Sequence, residues 1–280
     1  MCRIAIFHNS IKRSEAISIL ENMLGANTHG CGEAYIKDGK FVVNKYALSL
    51  TNVLKRGKPF LNHLGGHQGY TLVHLRAVSV GVICRDNSHP FVSMNGRICL
   101  VHNGTWKQHR PLNMYLQTCL GYKSTTDTAA ATELISRIGG EDFTESFDDA
   151  GVFCFLNQKG ELHISKTSGQ LAITRREDKS ILIASELDDD KYKNQEFARG
   201  YYKFDLNAKV IKYKPKEYHW QGQSFSGGSR GYGVSDWYQR TYGHGALPAH
   251  YHGESNLKYD AETNNFVRQP NGGMAYMGDE

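Results

Sequence analysis

The chain has 280 residues, of which 40% are hydrophobic, 22% charged and 11% aromatic. That is enough to bury a substantial core in one large domain or a core domain with an appendage, and it excludes disorder throughout. Lys and Arg exceed Asp and Glu by 33 to 28, a surplus too small and dispersed to imply a nucleic-acid partner. No run of about 18 apolar residues occurs, and the start lacks the basic, apolar and small-residue segments of a secretory leader, so a cytoplasmic protein with no membrane partner is expected.

Residues 2–7 form a short apolar run, the pattern of a buried strand at the head of the chain. Within 10–24, Ile11, Ala16, Ile17, Ile19, Leu20 and Leu24 recur at helical spacing and predict a first helix. Short apolar or alternating runs follow at 32–36, 41–43, 70–75, 91–94 and 98–101. The dipeptides Asp38-Gly39 and Asn95-Gly96 between them are hairpin signals, which favours antiparallel pairing over βαβ units. A second helix is expected after Ser124 or Asp127, where strong helix formers stand behind a hydroxyl or acidic cap. Strands return at 151–156, 161–165, 171–174, 181–184, 201–205 and 210–213, and a two-layer sheet core flanked by helices fits the series.

From about Lys216 onward the character changes: 11 of the 29 glycines are mixed there with Tyr, His, Ser and Asn, without a sustained apolar period. Residues 216–280 read as an extended or disordered tail, the alternative being that its aromatics pack along the core or against a partner. Ser226-Gly227-Gly228-Ser229 looks like the start of a nucleotide-binding loop, but it follows polar residues rather than a buried strand and reads as linker composition.

The six cysteines, at 2, 31, 84, 99, 119 and 154, contain no CxxC pair, so neither a zinc ribbon nor a disulfide framework is indicated. His63, His67, His74, His89 and His102 match no standard zinc spacing either, and no metal or cofactor is expected. Cys2 stands apart because it directly follows Met1. Removing Met1 with an aminopeptidase leaves a thiol and a free α-amine on one residue, a nucleophile that carries its own proton acceptor. Alone, a cysteine at position 2 is more simply an ordinary residue.

Other residues change that balance. Met1-Cys2-Arg3-Ile4 at the start, Gly30-Cys31-Gly32-Glu33 before Asp38-Gly39, and His74-Leu75-Arg76 running on to Gly81 occur in that order. They are followed by Asn87-Ser88-His89-Pro90-Phe91, Val101-His102-Asn103-Gly104, and Thr126-Asp127-Thr128. Together with 181–186, which ends in Ala184-Ser185-Glu186, this series resembles the class II glutamine amidotransferase domain, a member of the N-terminal nucleophile hydrolases. The resemblance covers roughly residues 2–213. It implies an α+β fold, a four-layer αββα sandwich with stacked, mainly antiparallel sheets. Residues 2–215 would be the glutaminase domain and 216–280 the tail.

The resemblance also implies roles. Cys2 attacks the glutamine side-chain amide, and the Asn103 amide and the Gly104 N–H stabilise the oxyanion. Arg76 holds the substrate α-carboxylate, for which a planar guanidinium is suited, although alone it would more often be a structural ion-pair residue. Asp127 takes the α-ammonium group, with a helix-capping role compatible beside it. Ser79 adds a hydroxyl contact or is a surface residue. His74, Asn87, His89 and His102 are supporting residues that order loops, and a histidine-based triad is rejected in favour of the α-amine as base. Ala77, Val80, Ala129 and Arg3 depart from residues common in the family, changes that reshape the pocket or shift its preference among γ-glutamyl amides.

The function implied is hydrolysis of glutamine to glutamate and ammonia, the ammonia serving a separate acceptor enzyme. Two rivals stand beside it: a related amidase acting on another γ-glutamyl or small amide, and an inactive fold kept as a binding or regulatory subunit.

Overall fold

The structure is a computed structural model that describes residues 2–8, 10–65, 69–177, 180–187, 192 and 194–216, and the backbone of 257–260 and 265–268. The chain divides into two compact units, Met1–Ser224 and Phe225–Glu280. Met1, His67 and, apart from Lys216 and one hairpin, the tail expected over 216–280 lie outside the described residues, as does the 226–229 motif. That hairpin pairs Leu257–Asp260 with Asn265–Arg268.

Within the first unit the strands are β1 Arg3–His8, β2 Gly30–Lys37, β3 Lys40–Tyr46, β4 Tyr70–Arg76, β5 Phe91–Val92, β6 Ile98–Asn103, β7 Val152–Asn157, β8 Leu162–Lys166, β9 Ala172–Arg175, β10 Ile181–Ala184, β11 Gln195–Glu196, β12 Gly200–Phe204 and β13 Val210–Pro215. They form a seven-stranded sheet in the order β11-β9-β10-β1-β4-β2-β3 and a six-stranded sheet in the order β13-β12-β8-β7-β6-β5. Every pairing in both is antiparallel.

The period-2 alternation of β1 shows how the layers arise. Ile4 and Ile6 join Leu72, Val101, Val152, Cys154 and Ile164 in the core between the sheets. Ala5 and Phe7 face the other way, onto Ala16, Ile19 and Leu20 of α1 (Arg13–Met23) and Leu50 and Val53 of α2 (Leu50–Lys55). Both faces of β1 are therefore apolar, as a central strand requires. Fully burying an Ile or Phe contributes about 1.5–3 kcal/mol relative to exposure, so β1 is held from both sides. On the second sheet, α4 (Asp127–Ile138) packs against β6, and α5 (Gly140–Ser146) against β8 and β12, with α3 (Arg110–Leu120) on α4. Helices outside and two sheets inside give the four layers αββα.

The first helix is shorter than its expected 10–24 span, and α2, α3, α5 and β11 were absent from the expectation. Among the described residues no helix is long and apolar enough to cross a membrane.

Candidate active site

The head of β1 places Cys2. Arg3 is in register with Leu75 of β4, and the Cys2 thiol, 9% exposed, donates to the Ala77 carbonyl just past the end of β4 at 3.2 Å. On the opposite side, Ser185 at the end of β10 grips the same strand: its N–H donates to the Ile4 carbonyl, and the Ile4 N–H donates to Ser185 Oγ, both at 2.9 Å. Arg3 pairs with Glu186 at 2.7 Å, so the unusual residue behind the cysteine fastens β1 to the turn after β10.

Arg76 ends β4 and is buried. Its guanidinium donates to the Val80 and Val82 carbonyls at 2.9 and 3.1 Å, which uses two of its five N–H donors. Asn87 braces the same loop. Its amide nitrogen donates to the Val82 carbonyl and to Thr125 Oγ1, both at 3.1 Å, while its Oδ1 accepts from Thr125 N at 2.9 Å and from Ser124 Oγ at 3.1 Å. One buried amide thus ties the loop around Arg76 to the residues leading into Asp127. Ser79 lies exposed on that loop, with Thr105 Oγ1 at 3.5 Å.

Asp127 opens α4 and is 4% exposed. Its Oδ2 accepts from Trp106 N at 2.8 Å and its Oδ1 from Thr128 N at 2.9 Å. Thr128 Oγ1 stands a further 3.5 Å from Oδ1, and His102 Nδ1 lies 3.7 Å from Oδ2. The helix starts there because Thr126 is its N-cap, with extended backbone angles and Oγ1 accepting from Ala129 N.

Asn103 closes β6, buried beside the first sheet, with its Nδ2 3.3 Å from Ser185 Oγ and its Oδ1 without a partner. Gly104 follows at φ +154°, and a Cβ there would sit 2.7 Å from both the Ala150 carbonyl and Gly151 Cα. Only glycine lets the backbone after Asn103 pass so close to the start of β7. Gly32 serves a similar end in β2, since a Cβ on it would collide with the His89 carbonyl.

Behind these residues stand three buried imidazoles. His102 has its Nε2 2.8 Å from the Ala150 carbonyl and its Nδ1 3.1 Å from Thr128 Oγ1. His89 Nε2 reaches the same hydroxyl at 2.8 Å. His74 Nε2 meets the His102 carbonyl at 2.9 Å, and its ring stacks on His89. Burial pushes His74 down to about 3 and His89 well below the ordinary range, and lowers His102 as well. These nitrogens are engaged with carbonyls and Thr128, so the three rings are neutral struts around Asn103 and Asp127.

The Cys2 thiol is likewise not a resting thiolate. Burial pushes it up, with the Arg76 charge pulling the other way and Asp127 adding to the rise. A base has to take its proton during attack. Ser185, Thr128 and Thr125 contact the candidate site residues but were given no role in the expectation, whereas Ala77, named there as a departure that reshapes the pocket, accepts from the Cys2 thiol. The sequence signal for Ser185 was its place in Ala184-Ser185-Glu186, at the end of the apolar strand that the resemblance includes. Among the described residues, no three His, Cys, Asp or Glu side chains are grouped to hold a metal.

No family model matches the chain. The glutamine–fructose-6-phosphate aminotransferase (isomerizing) of Sulfolobus acidocaldarius is 32% identical over 123 residues, which covers 43% of this chain and 20% of that protein. The probable enzyme of the same name from Acanthamoeba polyphaga mimivirus is 25% identical over 203 residues, 67% of this chain and 33% of that protein. The chain spans a third or less of the length of these relatives. In fold, the glutamine phosphoribosylpyrophosphate amidotransferase of B. subtilis matches with a TM-score of 0.61 at 19% identity, over 77% of this chain and 49% of that one. A structure described as the allosteric regulatory enzyme of purine biosynthesis matches with 0.58 at 18% identity, over 74% and 48%. Relatives and architecture point the same way: the chain is similar in sequence to part of the glutamine–fructose-6-phosphate aminotransferases and shares the fold of the glutamine phosphoribosylpyrophosphate amidotransferase.

Proposed function

We propose that this chain is a glutaminase module in which Cys2, freed as the N-terminal residue, hydrolyses the side-chain amide of glutamine. The observation that carries the reading is a connected set of contacts: the buried Cys2 thiol donates to the Ala77 carbonyl beside Arg76, Ser185 joins β1 to Asn103, and Asn87 joins the Arg76 loop to the residues leading into Asp127. Glutamine presents a carboxylate and an ammonium group at one end and its amide at the other. Arg76, with donors left over from its loop carbonyls, takes the carboxylate, Asp127 takes the ammonium group, and Ser79 adds a hydroxyl at the rim. The amide carbon then lies at Cys2.

In the first step the thiol proton passes to the α-amine of residue 2 as sulfur bonds to the amide carbon. The carbonyl oxygen becomes an oxyanion held by Asn103 Nδ2 and the Gly104 N–H. The tetrahedral intermediate collapses as the amine returns the proton to the leaving nitrogen, releasing ammonia and leaving a γ-glutamyl thioester. Water adds in the second step, its proton again taken by the amine, and glutamate and the thiol are restored. The neutral, engaged imidazoles take no proton in this scheme. His74, His89, His102 and Asn87 hold the loops that carry the reacting groups.

Residues 2–215 constitute this module and 216–280 an appendage, working in the cytoplasm. Ammonia is protonated and diluted once in water, so efficient use requires a docked acceptor enzyme. Cys2→Ala, made so that residue 2 still becomes the N-terminus, is expected to abolish glutamine hydrolysis while shifting Tm by no more than a few degrees. Turnover near the wild-type rate in that variant would sink the assignment. Intact mass after treatment with 6-diazo-5-oxo-norleucine supplies a second readout, a single adduct at Cys2.

A further inference from the structure

Asn103 is 94% buried by its 6% exposure, yet its Oδ1 has no donor, while its Nδ2 stands 3.3 Å from Ser185 Oγ. That hydroxyl already accepts the Ile4 N–H at 2.9 Å, so its own proton needs an acceptor. The side-chain oxygen and nitrogen of an asparagine are assigned from the hydrogen bonds around them. With Nδ2 toward Ser185, the hydroxyl proton and Oδ1 are both unpaired, and leaving a buried polar atom unpaired costs about 1–3 kcal/mol. Turning the amide over lets Ser185 O–H donate to Oδ1, satisfies both, and puts Nδ2 at the one amide position with no protein partner.

We propose that Ser185 is a positioning residue of the oxyanion site. It reads the backbone of the nucleophile's strand through the Ile4 N–H and, by donating to Asn103 Oδ1, presents Nδ2 to the carbonyl oxygen of the substrate. The inference rests on the reading of Cys2 as nucleophile. It gives the two ends of the chemistry, sulfur and oxyanion donor, a single shared reference point two residues from Cys2. Arg3 with Glu186 and the Ser185 N–H with the Ile4 carbonyl hold that reference in place.

The test is a double-mutant cycle in the full chain, with glutaminase kinetics and 6-diazo-5-oxo-norleucine labelling read together. Ser185→Ala is expected to lower kcat about 10- to 100-fold, less than loss of the donor itself, with KM within about 2-fold and one label per Cys2 retained. Ser185→Thr, which keeps the hydroxyl, is expected to recover most of that loss. In an Asn103→Ala background, Ser185→Ala is expected to cost nothing further, because its effect passes through Asn103. Full wild-type kcat in Ser185→Ala overturns the proposal, and so does an undiminished loss in the Asn103→Ala background, which would mark a merely structural role. If Ser185→Ala does not fold, Ser185→Cys carries the same comparison with a weaker donor in the same space. Wild-type protein that neither turns over nor labels would instead defeat the nucleophile reading and the proposal with it.

Discussion

At the scale of single residues, the imidazole cluster has a proton inventory that can be worked out from its partners. A carbonyl only accepts, so His74 Nε2 and His102 Nε2 must both carry protons toward the His102 and Ala150 carbonyls. His102 Nδ1 is then an acceptor for the Thr128 hydroxyl, which is 3.1 Å away against 3.5 Å for Asp127 Oδ1, and the hydroxyl oxygen in turn accepts from His89 Nε2–H. All three rings share one neutral tautomer, and the Nδ1 atoms of His74 and His89 are left without partners. Nitrogen-detected NMR is expected to show His74 and His89 as unchanging Nε2–H tautomers from pH 8 to 5. Titration of either ring near 6.5 would contradict this. For stability the sign follows from linkage. These histidines bind protons in the unfolded chain near 6.5 but, in the fold, only near 3 for His74. Their contribution is therefore complete above about 6.5 and is lost as pH falls toward 3. Glu33 and Glu133, whose carboxyls burial pushes up, act in the opposite sense and lose stability as pH rises through their raised values.

At the scale of elements, the start of α4 couples a helix cap to the carboxylate proposed to take the substrate's ammonium group. Thr126 caps the helix and Asp127 is its first residue, so whatever loosens the cap also moves the carboxylate. Thr126→Ala is expected to cost about 1 kcal/mol, seen by calorimetry as a Tm lower by roughly 2–4 °C, and to raise KM for glutamine more than it lowers kcat. An unchanged KM would separate the cap from the site. Elements differ in how openly the sequence announces them. The hairpins at Asp38-Gly39 and Asn95-Gly96 and the two-faced apolar β1 could be read directly, because turn chemistry and period are local. Helix α3 escaped although Pro111 in its first turn and Gly121, left-handed at its C-cap, mark its ends, because only Leu112, Asn113 and Leu116 are buried along it. Helix α5 offers little more than Phe143 and Thr144 to the core, and β11 is two residues long. For the site, the resemblance supplied Cys2, Asn103 and Asp127. The jobs of Asn87 and Ser185 depend on partners 38 and 82 residues away in the chain, distances that no local pattern encodes.

At the scale of the whole molecule, the seven-stranded sheet is closed only late in the sequence. β1 lies between β4 and β10, with Ala5 opposite Val73 on one side and Ala184 on the other. A chain ending at residue 180 would leave that edge of β1 unpaired and take β12 and β13 from the second sheet. It is expected to remain protease-sensitive and to aggregate, as limited proteolysis and light scattering would show, whereas folding of such a fragment to a protected monomer would refute the central role given to β10.

The same strand order sets a timetable for making the domain. During synthesis at about 5–20 residues per second, roughly ten to forty seconds separate the emergence of β1 from that of its second neighbour. Throughout that interval the head of the chain lacks the Ser185 and Glu186 clasp that later encloses it. Closing of the sheet then fixes Arg3 and Ile4 in place through Glu186 and Ser185. Topology thereby delays the burial of the chain's head: β1 emerges first, and its second edge is covered last.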